Sequence, residues 1–310
     1  MGGNSRGEDA LHAFFVDAFT PTPGVSGPGD DCAQLEVGAN DYLHWTCDQV
    51  VEGVHVEVGT APEVQAKKLL RRTISDLAAA GAKPWLVSWT VAAPAERGQA
   101  WIRRLAEAFV AEAKAFGMAV VGGDLSNSYG QQHCVLTCQA MGRSTRPAAG
   151  RNRAQAGDVI LVSGALGGAV ESGRHLLPEP RLELGQQLCL HYQPSAMMDI
   201  SDGLAQDLPR ILAASVVGAE VELTQLPLHK NIPANADGWR QAIADGEDYE
   251  LLICLPPDQA SAALQDSRLP GLTAIGRLIE GSELHWLNNG EPLDFAAAGW
   301  EHGWSGQSDN

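Results

Sequence analysis

The chain has 310 residues, 45% of them hydrophobic and 19% charged, ordinary proportions for a globular protein with a full core. Its 21 basic and 38 acidic residues give a formal net charge of −17, which argues against phosphate-backbone binding to nucleic acid and against anionic membrane surfaces. Nowhere does it reach the roughly 18 consecutive apolar residues of a membrane-spanning helix, and MGGNSRGEDALHAFF lacks the basic-then-apolar order of a signal peptide.

At about 150 residues per domain, the length suggests two domains. A helix is expected over 8–19, followed by TPTPGVSGPGDDCAQL, whose Pro and Gly content predicts no regular structure. Residues 42–47 read as a strand ending at Asp48. Pro62 suits a first helical turn, Gly81 and Pro84 make a stop signal, and Val64, Leu69, Leu70, Ile74, Leu77 and Ala78 recur between them at helical spacing. A second helix is expected over 95–116. MAVV at 118–121 reads as a short buried strand emptying into the loop GGDLSNS, and 133–141 as another strand. STRPAAGRNRAQAG, around 144–157, is a plausible domain boundary. Beyond it, DVILVSGALGGAVESGRHLL reads strand, glycine loop, helix, and AMMDISDGLAQDLPRILAAS reads strand, acidic loop, helix. AEVELTQL, YELLICLP and LTAIGRLIE read as strands. The alternation predicts an α/β (α+β) architecture in both halves, with helices packed on mixed sheets.

The placement of aspartates is the main chemical signal. Asp30 and Asp31 sit in GPGDDC, Asp48 follows a strand, Asp124 lies in GGD, and Asp199 and Asp202 form DISDG. Asp76 lies near a helix C-terminus, where the macrodipole disfavours a carboxylate. Carboxylates gathered on loops at strand ends repel one another unless a cation binds between them, and hard oxygen ligands suit Mg²⁺ or Mn²⁺ with phosphates completing the shell. The plainer alternative is that Asp and Gly make good turns.

SGALGG at 163–168 could offer backbone N–H groups to a phosphate or simply turn the chain. It matches neither the dinucleotide fingerprint nor the Walker A pattern, so a P-loop kinase is excluded. Lys67, Lys68, Arg71 and Arg72 crowd one helix, which reads first as a solvated basic face and second as a phosphate receiver. His55 reads as a satisfied histidine. The six cysteines lack a CxxC pair and read as reduced, mostly buried thiols; Cys134 and Cys138 beside His133 alternate as in a strand and make a poor metal site.

GPGDDCAQL, TCDQVVEGVHV, KKLLRRTISDLAAAGAKP, VVGGDLSNS, DISDGLAQDL and DGEDYELLI, in that order and spacing, resemble the thiamine-monophosphate kinase family, within the larger group of aminoimidazole-ribotide-synthetase-like ATP enzymes. The resemblance runs from about residue 8 to residue 304. It implies direct phosphoryl transfer from ATP to thiamine monophosphate, giving thiamine diphosphate, with several Mg²⁺ ions and no general base. By position, Asp30, Thr46, Cys47, Asp48, Asp76, Asp124, Asp199 and Asp202 are the implied metal ligands. Gly123, Asp124, Arg143 and Ser201 are the implied ATP contacts, and His55, Glu247 and Trp300 the implied thiamine contacts. It further implies an N-terminal metal, ATP and dimerisation domain over 1–143, a C-terminal domain over 144–310, a homodimer and a cytoplasmic location.

Three positions depart from the family pattern: Cys47 for a common Thr, Val56 for the usual Phe, and Trp300 for a frequent Tyr or Phe. A thiol is a poor ligand for Mg²⁺. Other enzymes of the superfamily are the rival readings. Selenophosphate synthetase uses a reactive Cys or selenocysteine in an N-terminal glycine-rich loop, and residues 1–30 contain no Cys. The hydrogenase-maturation enzyme carries a C-terminal cysteine, whereas this chain ends SDN. Aminoimidazole ribotide synthetase and a non-catalytic nucleotide or metal sensor complete the alternatives.

Overall fold

Two antiparallel-rich sheets, one from each half of the chain, share one long helix that packs against elements of both halves. The structure is a computed structural model that describes residues 22–293 except Gly27 and Gln131, together with Phe14, Val16 and Ala18. Those three are helical; the rest of the expected 8–19 helix lies outside the described residues, as does Trp300.

The first sheet contains β1 (Val25–Ser26), β2 (Ala33–Gly38), β3 (Asp41–Val51), β4 (Lys83–Ala93), β5 (Ala119–Asn127) and β6 (Val135–Ser144), in the order β1-β2-β3-β6-β4-β5. Only β4 and β5 run parallel. Helices α1 (Pro62–Ala79) and α2 (Gly98–Ala115) pack beside each other on this half. Leu69, Leu70, Ile74 and Leu77 of α1 meet Leu105 and Phe109 of α2 and Leu136 and Ala140 of β6 in one buried cluster. The expected stop at Gly81 is a Schellman turn. Gly81 adopts φ 64°, its N–H donates to Ala78 at 3.0 Å, and the Ala82 N–H donates to Leu77 at 2.8 Å.

The second sheet contains β7 (Val159–Val162), β8 (Ala196–Ile200), β9 (Gly218–Glu222), β10 (Glu250–Leu255), β11 (Thr273–Ile279), β12 (Leu284–Asn288) and β13 (Glu291–Pro292), in the order β13-β12-β9-β11-β7-β10-β8. One face packs on α4 (Leu204–Ser215) and α5 (Ala236–Ala244); the other meets α3 (Leu182–His191) and α6 (Pro257–Gln265). Helix α1 touches this half too: Ala78 and Ala79 share a buried cluster with Leu184 and Leu188 of α3 and with Leu251 and Ile253 of β10. A side chain at Gly185 would place its Cβ 2.0 Å from the Ala78 carbonyl oxygen, so glycine sets how closely α1 and α3 approach.

Several expectations change. β1 and β2 occupy parts of the Pro/Gly segment predicted to be irregular, because β2 pairs with β3 and β1 in turn with β2. β3 continues through Asp48 to Val51. The strand after α2 is neither short nor buried: β5 runs through GGD as an exposed edge strand. No α-helix follows SGALGG; only a 3₁₀ turn at Arg174–Leu176 precedes α3.

Candidate active site

A cavity of about 1020 Å³ opens between the two halves, large enough for an extended polyphosphate beside a second ligand. One wall is α1. Lys68, Arg72 and Asp76 recur every fourth residue, so they form one stripe along the helix. β3 faces that stripe with its alternate residues Thr46 and Asp48. The Thr46 hydroxyl donates to Asp76, Arg72 Nη2 lies 3.4 Å from Asp48 Oδ1, and Lys68 Nζ donates to the His55 carbonyl and to Glu247 Oε2, each at 2.6 Å. The basic face read from the sequence is therefore divided. Lys68 is fully buried, Arg72 lines the cavity, and Arg71 donates to Glu112 at 2.6 Å instead.

At one end of the stripe, Asp31, Asp76 and Asp199 bring carboxylate oxygens within 4.8 Å of one another. Asp199 is buried in β8, not in a loop, and accepts from the Ser75 hydroxyl at 2.6 Å. Asp31 accepts from the Arg151 guanidinium. Burial, then the neighbouring carboxylates, pushes Asp76 and Asp199 well above the ordinary carboxylate range; burial also raises Asp31. Three oxygen donors that resist being charged together are the chemistry that a hard divalent cation relieves. Asp30 lines the same cavity, but its carboxylate accepts from the Arg151 backbone N–H at 2.8 Å; the neighbouring Asp31 completes the cluster. Cys47 is exposed and lines the cavity, and partial desolvation and then the neighbouring Asp48 carboxylate raise its thiol above the ordinary range.

The second half contributes two interlocked loops. Asp207 in the first turn of α4 is buried and accepts from the Ser201 and Asp202 N–H groups, each at 3.0 Å, while Asp202 pairs with Arg210 at 2.8 Å. The loop 245–249 docks on this turn through N–H donation from Glu247 to Ser201 at 2.7 Å and from Tyr249 to Ile200 at 2.8 Å. Glu247 and Tyr249 both adopt positive φ, 67° and 54°, and such non-glycine backbone costs about 1–3 kcal/mol per residue. In this conformation the Glu247 carboxylate meets Lys68 Nζ. His55 lines the same end of the cavity. Its Nδ1 accepts from the Val51 N–H at 3.0 Å, so the neutral ring carries its proton on Nε2.

Three expected ATP contacts are not brought to this cavity by one chain. Gly123 and Asp124 lie on exposed β5, where Ser126 donates to Asp124 at 3.2 Å. Glycine at 123 has a local reason, since a Cβ there would sit 2.5 Å from the Trp89 carbonyl. Arg143 pairs with Asp41 at 2.7 Å and lies over the Trp85 ring. The glycine loop is also committed internally: Gly167 donates to Asp248 at 3.0 and 3.1 Å, and Gly168 donates to Asp245 at 2.7 Å. Its N–H groups hold the 245–249 loop rather than a phosphate.

Two domain models match the chain: AIR synthase related protein, N-terminal domain, over residues 29–144, and the corresponding C-terminal domain over 155–286. A thiamine-monophosphate kinase of Haemophilus influenzae is 34% identical, covering 88% of this chain and 90% of its own length. The chain belongs to the thiamine-monophosphate kinase family. Among solved structures of this family, thiamine-monophosphate kinase from Stenotrophomonas maltophilia superposes with a TM-score of 0.70 at 33% identity, covering 92% of this chain and 96% of that one. AaThiL complexed with AMPPCP and TMP superposes with a TM-score of 0.79 at 25% identity over 95% of each chain. The two-sheet α/β architecture is thus the family's fold.

Proposed function

We propose that this chain is an enzyme that phosphorylates thiamine monophosphate to thiamine diphosphate with ATP, in the cavity between its two sheets. The observation that carries the reading is the graded wall of α1: carboxylates at Asp76, a guanidinium at Arg72, and Lys68 holding Glu247 and His55 together. The relative AaThiL, complexed with AMPPCP and TMP, supports an ATP site and a thiamine-phosphate site in one such fold.

The chemistry follows from charge. A phosphate monoester has its second pKa near about 6, so the acceptor oxygen is already ionised at neutral pH and needs no general base. The obstacle is repulsion between anions, about 4 kcal/mol for two unit charges 4 Å apart at an effective dielectric of 20. Mg²⁺, held by Asp31, Asp76 and Asp199 with Asp30, Asp48 and Asp202 nearby, would supply charge neutralisation for the phosphates. Thr46 and Ser75 orient Asp76 and Asp199 for that role. Asp207 fixes the Ser201–Asp202 turn, and Lys68 fixes Glu247 and the His55 loop where the organic part of the acceptor would lie. The Glu247 carboxylate would attract the cationic thiazolium ring, and His55 lines the cavity beside it.

The reading includes a homodimer. One face of the first sheet leaves Trp45 and Trp85 exposed, with Val121 and Leu125 exposed on its β5 edge. Asp124, Gly123 and Arg143 stand on that same exposed sheet, so a second copy packed there would close the ATP end of the site. The reading also keeps the two domains at 1–143 and 144–310, and has the chain working with the cytoplasmic pool of ATP. No helix among the described residues is long and apolar enough to cross a membrane.

The test is an end-point assay with MgATP and thiamine monophosphate, resolving thiamine diphosphate by chromatography, beside EDTA and Asp199→Asn controls. Product is expected from the wild-type chain and from neither control. Undiminished turnover by Asp199→Asn would refute the metal assignment, and no product from chain that binds MgATP would refute the acceptor. Sedimentation of the wild-type chain at twice the monomer mass is the expected sign of the dimer.

A further inference from the structure

The guanidinium of Arg72 is short of partners. Its Nε and Nη1 are buried and meet no acceptor, and its ion pair with Asp48 is a loose one, 3.4 Å from Nη2. No other guanidinium among the described residues leaves two buried nitrogens unmatched. By contrast Lys68, one turn earlier, has two acceptors at 2.6 Å. A buried donor without an acceptor is costly, so an arginine left this way on a cavity wall is built for something that enters the cavity. A planar fork of N–H donors matches phosphate oxygens.

Position narrows the choice. Along α1 the guanidinium falls between Asp76, where a metal-bound polyphosphate would lie, and Lys68, which holds Glu247 and the His55 loop. The phosphate of an acceptor whose organic part lies at the His55 end must pass this point. We propose that Arg72 is a further catalytic residue: through its free Nε and Nη1 donors it binds the monoester phosphate of the acceptor and holds it in line with the incoming phosphoryl group. This rests on the function proposed above. In the step, an ionised acceptor oxygen forms the new bond to the terminal phosphorus of ATP as the bond from that phosphorus to the ADP oxygen breaks. Arg72 donates hydrogen bonds to non-bridging oxygens and keeps its protons throughout.

The test is calorimetric binding of thiamine monophosphate and of thiamine, which lacks the phosphate, to the wild-type chain and to Arg72→Ala and Arg72→Lys, followed by steady-state kinetics. Losing one charge-assisted phosphate contact is expected to weaken thiamine monophosphate binding by about 10- to 100-fold, leaving thiamine binding within about two-fold as evidence that the cavity is intact. KM for thiamine monophosphate should rise and kcat fall while KM for ATP stays put, with partial recovery of kcat by added guanidinium ion. Arg72→Lys, a point charge without the fork, should fall between the two. Equal thiamine monophosphate affinity in wild type and Arg72→Ala overturns the proposal, as does a KM rise confined to ATP. Should Arg72→Ala fail to bind thiamine, Arg72→Lys carries the comparison, and unchanged affinity and kcat there overturn it equally. A wild-type chain that binds no thiamine monophosphate would instead refute the proposed function.

Discussion

Lys68 joins the two halves of the site, and replacing it with methionine isolates what that junction is worth. Its Nζ is 2.6 Å from Glu247 Oε2, a gross attraction of about 6 kcal/mol at an effective dielectric of 20. The lysine is fully buried, and burial lowers its pKa despite the carboxylate, so desolvation consumes much of that attraction. The intact pair is therefore worth little over an apolar replacement, whereas breaking it is expensive. Lys68→Met fills the same space but strands the Glu247 carboxylate and the His55 carbonyl, and should cost about 3–5 kcal/mol. Lys68→Met with Glu247→Gln removes the stranded charge, and the double variant should recover about 1.5–3 kcal/mol relative to additivity. Urea unfolding of the four chains in EDTA measures this cycle, and KM for thiamine monophosphate should rise with the first substitution. Additive losses, with coupling below about 0.5 kcal/mol, would refute the junction.

Asp76→Asn should abolish turnover and the thermal stabilisation conferred by MgATP, yet raise the melting temperature in EDTA, because it removes one of the mutually repelling buried carboxylates; a lower metal-free melting temperature with retained turnover would contradict this. His44 is buried, its Nε2 pairs with Ser144 at 2.7 Å, its Nδ1 meets no acceptor, and burial lowers its pKa to about 4. The folded state refuses a proton that the unfolded chain accepts below about 6.5, so this contribution is present above pH 6.5 and lost as pH falls toward 4. The loss is about 3 kcal/mol, and urea titrations of wild type and His44→Gln across that window should differ by it. Gly185→Ala drives a methyl into the Ala78 carbonyl and should cost about 1–3 kcal/mol by calorimetry, with activity falling alongside as α1 and α3 separate.

The order and type of most elements follow from local patterns in the sequence. Pro62 and Gly81 bound α1 because their backbone preferences act within one turn, and the apolar period between them fixes which side is buried. The run of acidic motifs likewise identifies the family, since each motif is contiguous, and it marks Asp48, Asp76, Asp199 and Asp202, which the fold then brings to one cavity. Even the stripe of Lys68, Arg72 and Asp76 is present in the four-residue spacing, although spacing alone cannot tell a solvated face from a buried one.

What only the tertiary structure decides is partnership. Asp31 rather than Asp30 joins Asp76 and Asp199, because adjacent residues in a turn point different ways and Arg151, some 120 residues on, takes hold of each differently. SGALGG becomes an anchor for Asp245 and Asp248 because the loop 245–249 folds over it. Gly123 and Asp124 leave the cavity because β5 pairs with β4 at the sheet edge. Local propensity is encoded within a few residues and can be read in one pass. Which charge meets which, and which is left waiting for a ligand, depends on segments far apart in the chain, and it is settled only when the two sheets close around α1.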